Sequence, residues 1–275
     1  MADVMRRIGI GAVHHNDSNG KSLDEVNEDQ LNYIPIKEIN LDDNGLKDAS
    51  FATILSSLRT QPHLRRISYV NNEIGSKSVE ELEKLISSAH EGQVNDVRIT
   101  RVKASKHDLN MLLRALSQCS NKLVRLRLSH LEIDEFVLME SLKSMVCSMP
   151  HIQELNLSHI NIHGRQLSDI MEVISDNCQQ MQYLNLSYNA LPQHHDWLQK
   201  FLGHLVNMIT TASKLIDIDL SGMNFRRNVK AIQWPLAKSK TLQAIHLSDN
   251  NIPKAAEINM LMVFGVKSTD DMSDN

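Results

Sequence analysis

The chain has 275 residues, with 29 basic against 33 acidic side chains, a formal net charge of −4 and 4% aromatic residues. That balance lacks the basic footprint of a general nucleic-acid binder, and so few rings leave little to stack single-stranded bases on. The longest apolar run, residues 260–266, is too short to cross a bilayer, and three cysteines cannot build a disulfide framework. An intracellular, cytoplasmic setting is therefore expected.

The first 33 residues open with MADVMRRIGIGAVHHNDSNG, which lacks the sustained apolar centre of a secretory signal. Gly9 and Gly11 begin a dinucleotide-type G-x-G, but His14 stands where the third glycine belongs. Gly20, Lys21 and Ser22 resemble the end of a phosphate loop, yet His15 occupies the place of its first glycine. No nucleotide or other cofactor is expected from these motifs.

From residue 36 onward one eleven-residue pattern returns eight times, starting at Ile36, Leu64, Val94, Leu123, Ile152, Met181, Leu215 and Leu242. The intervals are 28, 30, 29, 29, 29, 34 and 27 residues, and each copy is apolar at its first, fourth, sixth and eleventh positions. The alternation at positions four and six predicts a short strand with one buried face. About a dozen residues later the spacing changes to three and four, the apolar stripe of an amphipathic helix. Val79, Leu82, Leu85 and Ile86 form one such stripe, followed by Leu109, Leu112, Leu113 and Leu116, and later by Leu167, Ile170, Met171 and Ile174. Ser78 with Glu81 reads as the capping box that starts the first of these three helices. Such units bury both faces only by stacking, which predicts a parallel sheet backed by a row of helices.

Irregularities follow in chain order. Met5, Ile8 and Ile10 mimic repeat positions one, four and six, so residues 1–33 read as an N-terminal cap or degenerate repeat, with Ser22 and Glu25 capping a short helix. Cys119, Cys147 and Cys178 each precede a repeat and read as small apolar residues packed at helix ends. The Asn-Leu-Ser triplets at Asn156 and Asn185 read as repeat residues rather than glycosylation sites. The sixth unit is longer, and Trp197, Phe201, Leu205 and Met208 share one helical face: either a longer core helix or a partner-binding ridge. In the seventh unit Pro235 is expected in the first turn of a short helix. Residues 267–275 read as an acidic tail, leaving 34–266 as the repeat domain.

The skeleton L-x-x-L-x-L-x-x-N-x-L resembles the leucine-rich repeat family, and a period near 28–29 with a full helix per unit resembles its ribonuclease-inhibitor-like class. The resemblance implies a curved α/β solenoid, with the parallel sheet on the concave face and the helices on the convex face. It also implies that the ninth-position asparagine bonds backbone where the strand turns away. Asn44, Asn72, Asn189 and Asn250 fit that role. Val102, Leu131, Ile160 and Met223 do not, so their units must satisfy that backbone through water or neighbouring main chain.

The exposed strand positions make three columns. Glu38, Arg66, Asp96, Arg125, Glu154, Tyr183, Asp217 and Ala244 form the first, alternating in sign from Glu38 to Glu154. The second runs Asn40, Ser68, Arg98, Arg127, Asn156, Asn185, Asp219 and His246; the third ends in five serines. Arg98 and Arg127 are adjacent like charges with no acidic neighbour in their own column, although Asp96 could reach Arg98 from the side, whereas Asp217 and Asp219 make an acidic region beyond Tyr183. Both arginines are expected to tolerate substitution, as exposed strand residues do.

The plainer account is a solvated sheet of self-paired charges. Because the resembling family uses this face for recognition, the expected function is instead a non-enzymatic scaffold or adaptor, in a cytoskeletal or ciliary assembly. The alternative implied by resemblance is a regulator of a small GTPase, like Ran GTPase-activating protein. The expected contacts are Arg66, Arg98, Arg125, Arg127, Asn156, Tyr183, Asn185, Asp217 and Asp219, with another protein as partner. No nucleophile elbow or H-E-x-x-H is present, and the thirteen histidines show no zinc-ligand spacing with the cysteines. His159, His163, His194 and His195 read as solvated or capping residues. Neither catalysis, metal, small-molecule substrate, nucleic acid nor membrane insertion is expected.

Overall fold

The computed structural model describes residues 36–87, 94–133 and 136–263. The leading repeat or cap expected in residues 1–33 and the tail at 267–275 lie outside these described residues. Within them, strands and helices alternate: β1 (Glu38–Asn40), α1 (Asp48–Leu58), β2 (Arg66–Val70), α2 (Ser76–Ser87), β3 (Asp96–Thr100) and α3 (Lys106–Gln118). They continue as β4 (Arg125–Ser129), α4 (Phe136–Cys147), β5 (Glu154–Asn156), α5 (Gly164–Asn177), β6 (Tyr183–Asn185) and α6 (His195–Thr211). The last are β7 (Asp217–Asp219), α7 (Lys230–Lys238), β8 (Ala244–His246) and α8 (Lys254–Val263). The eight strands form one parallel sheet in chain order, with every repeat in register with the next.

The core follows from the two periodicities. Leu126, Leu128, Leu155 and Leu157, at positions four and six, are wholly buried under the sheet, as are Leu112, Leu142 and Leu167 on the helices facing them. Tyr69 enters the same layer by stacking on Phe51 at 3.6 Å, with its hydroxyl donating to the Glu73 carbonyl at 2.6 Å. Helices need about 8–10 Å each and strands about 4.8 Å, so the stack curves with its sheet inside. This is the α/β leucine-rich-repeat-like solenoid that the repeat predicts.

Strand length is set by the second column. In β1, β5, β6 and β7 that residue is Asn40, Asn156, Asn185 or Asp219, and its side chain accepts the amide two residues on, each at 2.9 Å. This local bond turns the backbone out of the extended path, and those strands are three residues long. With Ser68, Arg98 or Arg127 there instead, β2, β3 and β4 run for five. Edge strand β8, with His246, is short without this device.

The ninth-position asparagines do what the resemblance implies, and they do it between repeats. Asn72 donates to Leu41 O and Val70 O, both at 2.8 Å, and accepts from Leu46 N at 2.8 Å. Asn189 bonds Leu157 O and Leu186 O and accepts from Ile162 N. Asn250 bonds Leu220 O and Leu247 O and accepts from Phe225 N. Among the described residues Asn44 bonds only within its own repeat, at Asp42 O. At three of the four apolar ninth positions, neighbouring main chain takes over the same eleventh-position amide. Ile133 N reaches Ile160 O, Leu191 N reaches Met223 O, and Ile74 N reaches Lys103 O beside Val102.

Three local expectations are corrected. Helix α2 begins at Ser76 rather than after Ser78, and its cap comes from thirty residues away: Asp48 Oδ1 accepts Ser78 N at 2.8 Å. A Cβ on Gly75 would stand 2.8 Å from the Asp48 carboxyl carbon, so the glycine makes room for this cap. Glu81 pairs instead with Lys84 and Arg59. Pro235 lies inside α7, because a 3-10 turn at Arg226–Val229 leads into that helix earlier; buried Val229, Ile232 and Leu236 hold it in place. Cys119 and Cys178 are buried at helix ends, where burial pushes the Cys178 thiol up to about 12, but Cys147 is exposed.

Asn189→Ala would leave Ile162 N–H and Leu157 O without their side-chain partner inside the stack. The expected loss is about 2 kcal/mol, against about 0.5 kcal/mol or less for Asn44→Ala, whose amide, among the described residues, serves its own turn. Urea unfolding midpoints of the two variants check the difference.

Candidate functional site

The concave face carries an interlocked charge network over its first five strands. Asp96 is 1% exposed at its centre. Its Oδ2 accepts from Arg125 Nε at 2.8 Å, its Oδ1 accepts from Arg127 Nη1 at 3.2 Å, and Arg66 lies 3.5 Å away. Arg127 also grips Glu154 with two bonds, from Nε and Nη2, while Arg66 stands 3.4 Å from Glu38. Arg98 reaches Asp42, two repeats back, at 3.6 Å, and Ser68 between them donates to the same carboxylate. Four arginines therefore face four carboxylates, and the formal charges cancel.

This arrangement differs from the one expected of Arg98 and Arg127. Asp96 reaches diagonally to Arg127 and along its own column to Arg66 and Arg125. Arg127, at 21% side-chain exposure, is the most enclosed of the four. It is a strut of the network rather than a tolerant surface residue.

Beyond the network, Asn156 and Asn185 are held by their turns, and each also accepts the serine hydroxyl two residues on. Asn185 Nδ2 donates to Asp219 Oδ2 at 3.0 Å. Asp217 has His246 Nε2 at 3.3 Å, a charge pair only when that ring is protonated. Tyr183 lies between Glu154 and Asp217 in register and is 43% exposed. These residues line an open hollow of about 200 Å³, with Glu154, Asn156, Asp219 and His246. The nine expected contacts thus divide: four arginines engaged by acids, three of them around Asp96 and Arg98 on Asp42, and Tyr183, Asp217 and Asp219 around an acidic hollow, with the two asparagines at its edge.

A second feature runs along the rim. The eighth residue of every repeat has a left-handed backbone: Asp43, Asn71, Arg101, His130, His159, Tyr188, Gly222 and Asp249, with φ between 53° and 66°. Asp, Asn and Gly accept this readily; Arg, His and Tyr pay for it with about 1–2 kcal/mol of strain each. Those four are consecutive, and their side chains meet. His130 stacks on His159 and His159 on Tyr188, both with ring centroids 4.2 Å apart. Arg101 Nη2 is 3.4 Å from His130 Nε2; Arg can only donate, so that nitrogen accepts and the ring is neutral. Tyr188 lies across Gly222, whose Cβ would stand 2.3 Å from the ring, and donates to Asp249 at 2.7 Å. The sequence reading passed over this column, although its composition, rich in Asp, Asn and Gly, signals the backbone. His159 is thus a rung of the rim, while His163 and His194 precede α5 and α6 without capping them through their side chains.

On the convex side, Phe201, Leu205 and Met208 are buried and only Trp197 is partly exposed, so α6 is a core helix rather than a ridge. Among the described residues, no group of three His, Cys, Asp or Glu is placed to hold a metal ion, and no helix is long and apolar enough to cross a membrane.

The chain matches no protein-family model, and no curated protein matches it in sequence. Solved structures do match. A chain of the yeast Rad7 and Elc1 complex aligns with a TM-score of 0.58 at 13% identity, over 82% of this chain and 60% of that one. The Caenorhabditis elegans tropomodulin C-terminal domain aligns with a TM-score of 0.44 at 14% identity, over 57% of this chain and 92% of that domain. The first likeness shows the fold: a leucine-rich-repeat-like solenoid. This chain spans less than two thirds of that Rad7–Elc1 chain.

Two measurements test this geometry. Arg127→Glu would set a third carboxylate against Asp96 and Glu154, with an expected loss of about 1–3 kcal/mol, while Arg98→Glu costs about 0.5 kcal/mol. Chemical unfolding of both variants decides. On the rim, partial burial first, then His159 and Arg101, holds the His130 pKa below the usual histidine value; burial and Arg101 lower His159. The unfolded chain then binds protons more readily, so this stabilisation is complete above about pH 6.5 and is lost as pH falls through the lowered values. His130→Asn with His159→Asn keeps a left-handed backbone within reach and should flatten the fall in melting temperature from about pH 7.5 to about pH 5.

Proposed function

We propose that this chain is a non-enzymatic scaffold or adaptor that binds another protein on its concave face. One observation carries the reading: a flat polar wall whose charges cancel gives way, at β6 to β8, to an exposed aromatic ring in an acidic hollow. Tyrosine in such a setting is a common binding anchor. Burial of Phe201, Leu205 and Met208 on α6 supports the concave face over a convex ridge there. The placement in a cytoskeletal or ciliary assembly, and in the ribonuclease-inhibitor-like class, follows from the resemblance of the repeats. A helix in every unit and a period of 27–34 residues support that class.

A photo-crosslinking residue in place of Tyr183, compared in cells with the same residue at exposed Trp234 on α7, tests the reading. Protein adducts are expected at position 183 and not at 234. Adducts at 234 alone would move recognition to the helices. The scaffold reading also expects GTP hydrolysis by Ran-like GTPases to proceed at the same rate with and without the protein.

A further inference from the structure

The open part of the concave face has a definite charge preference. Over β1 to β5 an incoming anion finds every arginine engaged by a carboxylate, and an incoming cation finds every carboxylate engaged by an arginine. Over β6 to β8 the strand residues are Tyr-Leu-Asn, Asp-Ile-Asp and Ala-Ile-His, with no lysine or arginine among them. Among the described residues no lysine or arginine pairs with Asp217 or Asp219, and Asp217 has only the His246 ring beside it, at 3.3 Å. Asp219 has a single hydrogen bond to each oxygen, from Ser221 N and Asn185 Nδ2, which leaves lone pairs on both.

Tyr183 adds the second, independent element. Its ring stands on the sheet at 43% exposure, between Glu154 on β5 and Asp217 on β7, with no aromatic partner among the described residues. A cation over an aromatic face is attracted by the ring quadrupole, and flanking carboxylates reinforce it. The hollow, about 200 Å³, is smaller than the about 300 Å³ at which small-ligand pockets begin, so it suits one side chain rather than a whole ligand.

We infer that this half of the face receives a basic segment of the protein partner, with one arginine or lysine side chain seated over Tyr183 beside Asp217 and Asp219. The inference rests on the protein-binding reading above and names its chemistry. Of the two poles that the isolated columns suggest it keeps only the acidic one: the arginines are structural, and the acids do the recognising. Nucleic acid is disfavoured by the same charges.

The full chain, with its tyrosine ring and backbone signals followed by NMR, is titrated with acetyl-Gly-Gly-Arg-Gly-Gly-amide and with the lysine, citrulline and glutamate versions. Saturable shifts are expected for Tyr183, Asn185, Asp217 and Asp219 with arginine or lysine, weakened by about fivefold or more with citrulline and absent with glutamate. Asp217→Asn with Asp219→Asn keeps the turn, since Asn156 and Asn185 make the same turn at equivalent positions, and should weaken arginine binding by about fivefold or more. Tyr183→Ala should do the same. Equal shifts with arginine and glutamate, no shift with either, or shifts centred on Arg98 and Arg127 would each overturn the inference. Adducts at position 183 together with any of those results would sink the basic partner alone; absence of adducts there would sink the concave-face reading itself.

Discussion

A chain that leaves a strand eight times must satisfy, at each exit, amides and carbonyls that no longer belong to the sheet. In this solenoid the following repeat supplies the partner. At six repeats the eleventh-position amide is accepted by the next repeat, through its asparagine side chain at Leu46, Ile162 and Phe225 or through its main chain at Ile74, Ile133 and Leu191. The two solutions are exchangeable because the acceptor needs only to lie at the right place on the neighbour. That is why Ile160 can occupy the position that Asn189 fills one repeat later. The bond is also what makes the fold one-dimensional: each unit is complete only in the presence of its successor.

The same turn forces the eighth residue into the left-handed region, and here the chain departs from ease. Four consecutive repeats place Arg, His, His and Tyr where Asp, Asn or Gly would be comfortable. Stacking of neighbouring rings returns part of that cost, since aromatic pairs contribute about 0.5–1.5 kcal/mol beyond their burial. Gly222 interrupts the column where it must, because Tyr188 crosses that position to reach Asp249. The strained residues thus gain as a group what none gains alone.

The repeats, their number and the strand columns were legible because each is a matter of period, and period survives any choice of rotamer. What escaped the reading depends on contacts between units. Ser78 and Glu81 have capping-box spacing, but Asp48 of the preceding repeat reaches the Ser78 amide first. Asp96 was within sideways reach of Arg98 on its own strand, but it bonds Arg127 in the neighbouring column on the next strand, and Arg98 pairs with Asp42. The left-handed column and the asparagine-limited strand lengths were present in the alignment at positions eight and five. They required asking what the backbone does there rather than which side is apolar.

The division of the concave face has a physical consequence for recognition. An almost wholly buried aspartate tied to two arginines, with a third alongside, is costly to rearrange, because freeing any one of them leaves charge in a poorly hydrated site. Such a wall is preorganised and offers shape without strong polarity. The side chains at β6 to β8 are tied less tightly, with Asp217 held only by a histidine and Tyr183 open on the sheet. Desolvating them is paid back only by a partner that supplies the missing positive charge. A partner lacking it would bury Asp217 and Asp219 unpaired, so discrimination on this face comes as much from that penalty as from any attraction.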